Sequence, residues 1–175
     1  MVMQASHDLA WLNELAPEEA RTELLKCCGA TRWAEAIEHG RPYDSLEQLI
    51  AKANDVWWAL DEADWLEAFR SHPKIGEKKP ASAVSAQSQQ WSAQEQQGVQ
   101  HAAQETVENL AKLNVDYEKK FGFIFIVCAT GKSSDEILAL LEKRLPNEPA
   151  AELPIAAAEQ AKITELRLRK LLDNK

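Results

Sequence analysis

Only one stretch of the 175-residue chain has the chemistry of a β-strand, and that removes most folds from consideration. It is FGFIFIVCAT, residues 121–130, where aromatic and β-branched side chains run together. A lone strand cannot make a sheet. Periodicity leaves this run as either a buried strand or a buried helix. The expected architecture is therefore all-α, a single compact domain of about eight helices spanning residues 1–175, with a core rich in Leu, Ala and Trp.

The helix signals divide the rest of the chain. Pro17 to Cys28 has Pro in a first-turn position, acids behind it, apolar residues at helical spacing, and Gly29 as a stop. Asp44 and Glu47 form a capping-box pattern before LEQLIAKAN, and Val56 to Arg70 reads as one broad stripe carrying Trp58, Leu60, Trp65, Leu66 and Phe69. His72-Pro73 stops that helix. Residues 77–90 show no apolar period and read as a mobile surface loop. Ser92 to Tyr117 reads as a long amphipathic helix, with Val99, Ala103, Val107, Leu110, Leu113 and Tyr117 three or four apart. Ser133-Ser134-Asp135-Glu136 caps the next helix, and Pro154 introduces the last, which runs through AEQAKITELRLRKLL.

Charge and composition exclude whole classes of partner. With a net charge of −8 the chain lacks the basic surface that a nucleic acid or an anionic membrane requires. The longest apolar run, Phe123 to Ala129, is far below the roughly 20 residues of a membrane helix. No leader pattern precedes the first helix, so a cytoplasmic location is expected. Cys27, Cys28 and Cys128 fit neither a disulfide framework nor a metal knuckle and read as buried reduced thiols. His7, His39, His72 and His101 lie far apart without a ligand motif, so no metal is expected.

Three features could carry chemistry, each beside a purely structural reading. His72 precedes Pro73, which drives its backbone out of the helical region and could aim the imidazole off the helix end into a cleft. An unperturbed imidazole pKa of about 6.5 suits proton transfer near neutrality. Equally, a His at a helix end favours the negative pole of the helix dipole. Ser92-Ala93-Gln94-Glu95-Gln96 is a capping box that needs no function, yet a helix N-terminus with free amides also receives anionic or urea-like ligands. Arg167 in ELRLRKLL could join surface ion pairs, or its planar guanidinium could grip a carboxylate.

SHPKIG, a Ser-rich loop, S-x-x-E-Q at Ser92, Glu95 and Gln96, then YEKKFGFIFIVCATGKSSDEILALLEKRL and ITELRLRKLL together resemble the 2-oxo-4-hydroxy-4-carboxy-5-ureidoimidazoline (OHCU) decarboxylase family. TRWAEAIEHGRPYDSLEQLI upstream fits as well, so the resemblance extends from about Leu12 over nearly the whole chain. It implies an all-α, cofactor-free carboxy-lyase acting in the last step from uric acid to (S)-allantoin. It makes His72 catalytic with Glu95 in support. The substrate-binding residues it implies are Pro73, the segment Ser92, Ala93, Gln94, Glu95 and Gln96, the segment Phe125, Ile126, Val127, Cys128 and Ala129, and Arg167. It also speaks against a strand at FIFIVCA. Ile124 stands where many members have Pro, and the connection from Gln96 to Tyr117 is shorter than in many. Were that shortening absorbed before the helix, Ala93 and Gln94 would take the places of Glu95 and Gln96.

The implied substrate explains the absence of a cofactor motif. Its ring carbon bears hydroxyl and carboxylate next to a C=N bond, so the electron pair released with carbon dioxide has a sink within the molecule. The partner is then this small ureidoimidazoline alone, with the protein a monomer or homodimer. A rival from another class is a non-catalytic helical module that binds a ureide or purine-like ligand. A third reading is a helical scaffold without a small-molecule pocket.

Overall fold

The computed structural model describes residues 6–74, 86–97 and 103–173, with the side chains of the first helix described from Leu9 onward. Among the described residues there are nine helices and no strand: α1 Ser6–Glu14, α2 Pro17–Leu25, α3 Thr31–His39, α4 Leu46–Ala59, α5 Glu62–Arg70, α6 Ala86–Glu95, α7 Gln104–Phe121, α8 Ser134–Arg144 and α9 Pro149–Asp173. None of these helices is long and apolar enough to cross a membrane. The fold forms two compact units, one from the chain up to Ala68 together with the chain from Ala161, the other from Phe69 to Gln160.

The first unit is built on α1–α4, most of α5 and the end of α9. Leu12, Leu24, Trp33, Ile37, Leu49, Leu168 and Leu171 are fully buried in it. Buried polar groups find partners: the Trp33 indole N–H donates to the carbonyl of Ala53 at 3.1 Å, and Arg41 donates to the carbonyls of Leu12 and Leu15 at 2.8 and 2.7 Å. Two start signals differ from the sequence reading. The cap of α4 is Ser45, whose hydroxyl accepts from the Gln48 N–H while the Gln48 side chain accepts from the Asp44 N–H, so the box is Ser45/Gln48 rather than Asp44/Glu47. The expected stripe from Val56 to Arg70 is two helices. Leu60 is extended, and Asp61 and Asp64 accept reciprocally from each other's backbone N–H, which caps a new helix. That break leaves Trp57 buried and Trp58 exposed, with the Trp65 indole donating to the Trp57 carbonyl at 3.0 Å.

The second unit packs α7 and α8 over Leu110, Tyr117, Phe125, Val127, Ala129, Ile137 and Leu141. Ser133 caps α8 as its sequence signals, accepting from the Glu136 N–H at 3.2 Å. The long helix expected from Ser92 to Tyr117 is not continuous: Ser92 belongs to α6 and Tyr117 to α7, while Val99 lies outside the described residues. Within the expected loop at 77–90, residues 86–90 are helical, and residues 77–85 lie outside the described residues. The last helix starts at Pro149, the first-turn proline, and Pro154 sits inside it, so the start lies five residues before the expected one.

The apolar run after α7 is neither strand nor helix. Gly122 ends α7 in the left-handed region at φ 81°, its N–H donating to the Glu118 carbonyl at 2.8 Å. Residues 124–129 then run without regular structure, and Phe125 to Ala129 are all buried. A buried segment outside helix and strand must find other partners for its backbone, and here several are side chains. Arg144 Nη1 donates to the Ile126 carbonyl at 2.7 Å, Lys132 Nζ to the Cys128 carbonyl at 2.7 Å, and the Cys128 N–H donates to Glu159 Oε1 at 3.3 Å.

Candidate active site

His72 lies two residues beyond α5, its N–H donating to the Phe69 carbonyl at 3.2 Å, and Pro73 prevents further helix. The ring is buried, and its Nε2 lies 2.6 Å from Oε1 of Gln160 on α9. Gln160 is itself fully buried. An amide oxygen can only accept, so the imidazole donates through Nε2.

The segment Ser92 to Gln96 does not open a helix. It lies at the end of α6, where the Gln96 N–H donates to the Ser92 carbonyl at 3.1 Å. The expected capping box and amide-rich N-terminus are therefore replaced by a carbonyl-rich end, because the helix begins at Ala86 within the polar stretch expected to be loop. Ser88, Trp91 and Ser92 are buried and Glu95 is half-buried on the same face, with Gln96 half-buried beyond it. Ala93 and Gln94 are exposed.

Glu95 lies in the electrostatic neighbourhood of the apolar segment. Burial pushes the Cys128 thiol above its ordinary range, Lys132 opposes this, and the carboxylates of Glu159 and Glu95 reinforce it. Such a thiol is a poor nucleophile. The second unit thus brings Glu95 and Glu159 to the stretch around Cys128, while the residue after Glu159 holds His72. Behind this stretch lies a buried ionic cluster. Arg144 donates to Glu152 Oε1 at 2.6 Å, the Tyr117 hydroxyl donates to the same oxygen at 2.5 Å, and the Asn147 amide donates to Oε2 at 3.0 Å. Burial, then the bond to Glu152, holds the Tyr117 phenol well above its usual range.

Arg167 lies in the first unit. It is 3% exposed, which overturns the surface ion-pair reading. Its Nη1 donates to the carbonyl of Lys26 at 3.2 Å, at the C-terminal end of α2, and its charge reaches Cys27 and Cys28. Burial dominates both thiols, pushing Cys28 up to about 12 and Cys27 further.

Gln160, Glu159, Arg144 and Lys132 escaped the sequence reading. A signal for the first was present. Glu152, Ala156, Gln160, Thr164, Arg167 and Leu171 recur at spacings of four and three along α9, and all six are buried. Polar residues that share a buried helix face with Ala156 and Leu171 mark positions whose partners lie inside the protein.

The OHCU decarboxylase family model matches residues 13–169. The "Uric acid degradation bifunctional protein TTL" of Arabidopsis thaliana is 40% identical over 163 residues, which is 92% of this chain and 50% of that protein, so the chain spans about half its length. The "2-oxo-4-hydroxy-4-carboxy-5-ureidoimidazoline decarboxylase" of Amia calva is 33% identical over 169 residues, 94% of each chain. A crystal structure of OHCU decarboxylase in the presence of (S)-allantoin superposes with a TM-score of 0.75 at 37% identity, covering 87% of this chain and 98% of that one. A family match across both units, joined to a solved fold that is also all but fully covered, places this chain in the OHCU decarboxylase family.

Proposed function

We propose that this chain decarboxylates 2-oxo-4-hydroxy-4-carboxy-5-ureidoimidazoline to (S)-allantoin, as a single cytoplasmic catalytic domain, monomeric or homodimeric, without a cofactor. The observation that carries this reading is the match along 94% of both chains to a protein named for that activity. The buried His72 supplies a group suited to the proton transfers.

The chemistry follows from the substrate. The C4–carboxylate bond breaks, its electron pair forms C4=C5, and the former C5=N1 pair moves to N1, which takes a proton. Carbon dioxide leaves, and the remaining enol carries its hydroxyl on C4. Loss of that hydroxyl proton forms the C4 carbonyl, and C5 takes a proton on one face. The balance is one substrate anion and one proton giving allantoin and carbon dioxide. In this reading His72 exchanges the protons of the enol step and Glu95 orients the ring. Pro73, Ser92, Gln96 and the 125–129 stretch shape the pocket, and Arg167, implied by the family resemblance, binds a carboxylate or ureido group through its planar fork.

Freshly generated substrate decays by itself to racemic allantoin, so circular dichroism separates enzymatic from spontaneous product. Wild type is expected to give the S enantiomer. His72→Ala is expected to lose about 10²–10⁴-fold in rate while remaining folded. Racemic product from wild type would instead favour a binding module.

A further inference from the structure

A proton-transferring imidazole has two nitrogens, and the structure distinguishes them. His72 Nε2 is bonded at 2.6 Å to Gln160 Oε1, across 88 positions of sequence and between two buried side chains. Gln160 belongs to the same compact unit as His72. Its backbone is locked in the interior of α9, and its neighbour Glu159 is tied to the Cys128 N–H. The amide thus reaches His72 from a regular helical backbone, and its oxygen is the acceptor that the ring meets.

We infer that Gln160 is a positioning residue that holds His72 in the Nε2–H tautomer, so that Nδ1 is the nitrogen that exchanges protons with the substrate. This rests on the decarboxylase reading of His72 and adds which atom works and what fixes it. In the enol step the lone pair on Nδ1 accepts the C4 hydroxyl proton as the carbonyl forms. The resulting imidazolium then returns a proton from Nδ1 to C5, and Nε2 keeps its own proton on the amide oxygen throughout. A neutral amide suits this cycle. It stabilises the Nε2–H of both ring states without trapping the charged one, as a carboxylate partner would. Burial of Gln160 sharpens the effect, because a buried amide oxygen deprived of this donor carries a desolvation cost.

Long-range ¹H–¹⁵N correlation spectra of the whole chain, recorded at about pH 9 where an ordinary imidazole is neutral, report the tautomer directly. Loss of signals in His72→Ala assigns the ring. The wild-type ring is expected to show a protonated Nε2 and a bare Nδ1. Gln160→Leu, which has no acceptor, is expected to show a mixture of tautomers and to lose about 10–100-fold in kcat, the loss typical when the partner orienting a functional imidazole is removed. Its KM should stay within about twofold. Gln160→Glu keeps an acceptor and is expected to keep a proton on Nε2, whether the ring is neutral or charged, which mere packing of the side chain would not require. A protonated Nδ1 in wild type, or an unaltered tautomer in Gln160→Leu, overturns the inference. Failure of Gln160→Leu to fold leaves the wild-type and Gln160→Glu spectra to decide it. An Nε2–H ring in a wild-type protein that yields only racemic allantoin would instead overturn the decarboxylase reading.

Discussion

The guanidinium of Arg144 lies 4.5 Å from the centre of the Phe125 ring while its Nη1 holds the next carbonyl, that of Ile126. One side chain therefore fixes both the face and the backbone of the segment that leads to Cys128. The same guanidinium neutralises Glu152, which is fully buried.

Removing that charge should be costly. Arg144→Met leaves a buried carboxylate without its cation, and breaking a buried pair from one side typically costs about 3–5 kcal/mol. Urea unfolding should show a loss in that range, and the Ile126 carbonyl loses its donor as well. A change below about 1 kcal/mol would mean that Glu152 protonates or rehydrates at little cost.

Glu95 offers a test in which stability and activity move apart. It ends α6, at the negative pole of the helix dipole, where a carboxylate is unfavourable by about 0.3–1 kcal/mol. Glu95→Gln should therefore leave stability unchanged or raise it by a few tenths of a kcal/mol while lowering kcat. A loss of stability with unchanged kinetics would return the residue to a structural role.

Arg167 should act through geometry more than charge. Arg167→Lys keeps a cation but loses the planar fork, and should raise KM with kcat less affected if the contact is equal in ground and transition states. Enantiomeric excess of the product is the second readout, since a substrate with one anchor fewer can present either face. Unchanged KM and unchanged enantiomeric excess would confine Arg167 to holding the end of α2 through the Lys26 carbonyl.

The adjacent thiols set an alkaline limit. Burial raises Cys28 from the ordinary 9.0 to about 12, and Cys27 is raised further by the same cause. The folded chain then keeps protons that the unfolded chain releases. Stability is complete below the unfolded thiol value and falls as pH rises from about 9 towards 12, by up to about 1.4 kcal/mol per pH unit for each thiol. Unfolding measured across that window should show a shallower fall in Cys28→Ala. An identical slope in wild type and variant would place the linkage elsewhere, with Tyr43, also raised to about 12 by burial, the next group to examine.

Local chemistry made the helical class, the Ser133 cap, the Pro17 start and the His72-Pro73 stop legible in the sequence, because each rests on residues within one turn of one another. The same local rules failed where two signals competed. Ser92 with Glu95 has the form of an N-cap, yet a helix had already begun at Ala86, and Asp61 broke a stripe whose apolar spacing looked continuous. His72 was prominent as the imidazole before a proline, and Arg167 stood out through family resemblance. Gln160, 88 positions from His72, carried no local mark beyond a polar side chain on an apolar face. The buried segment at 124–129 shows the same division most plainly. Its hydrophobicity ensures burial, but whether it becomes strand, helix or neither depends on what satisfies its backbone. Arg144, Lys132 and Glu159 do so from three separate positions, and only the folded chain brings them to it.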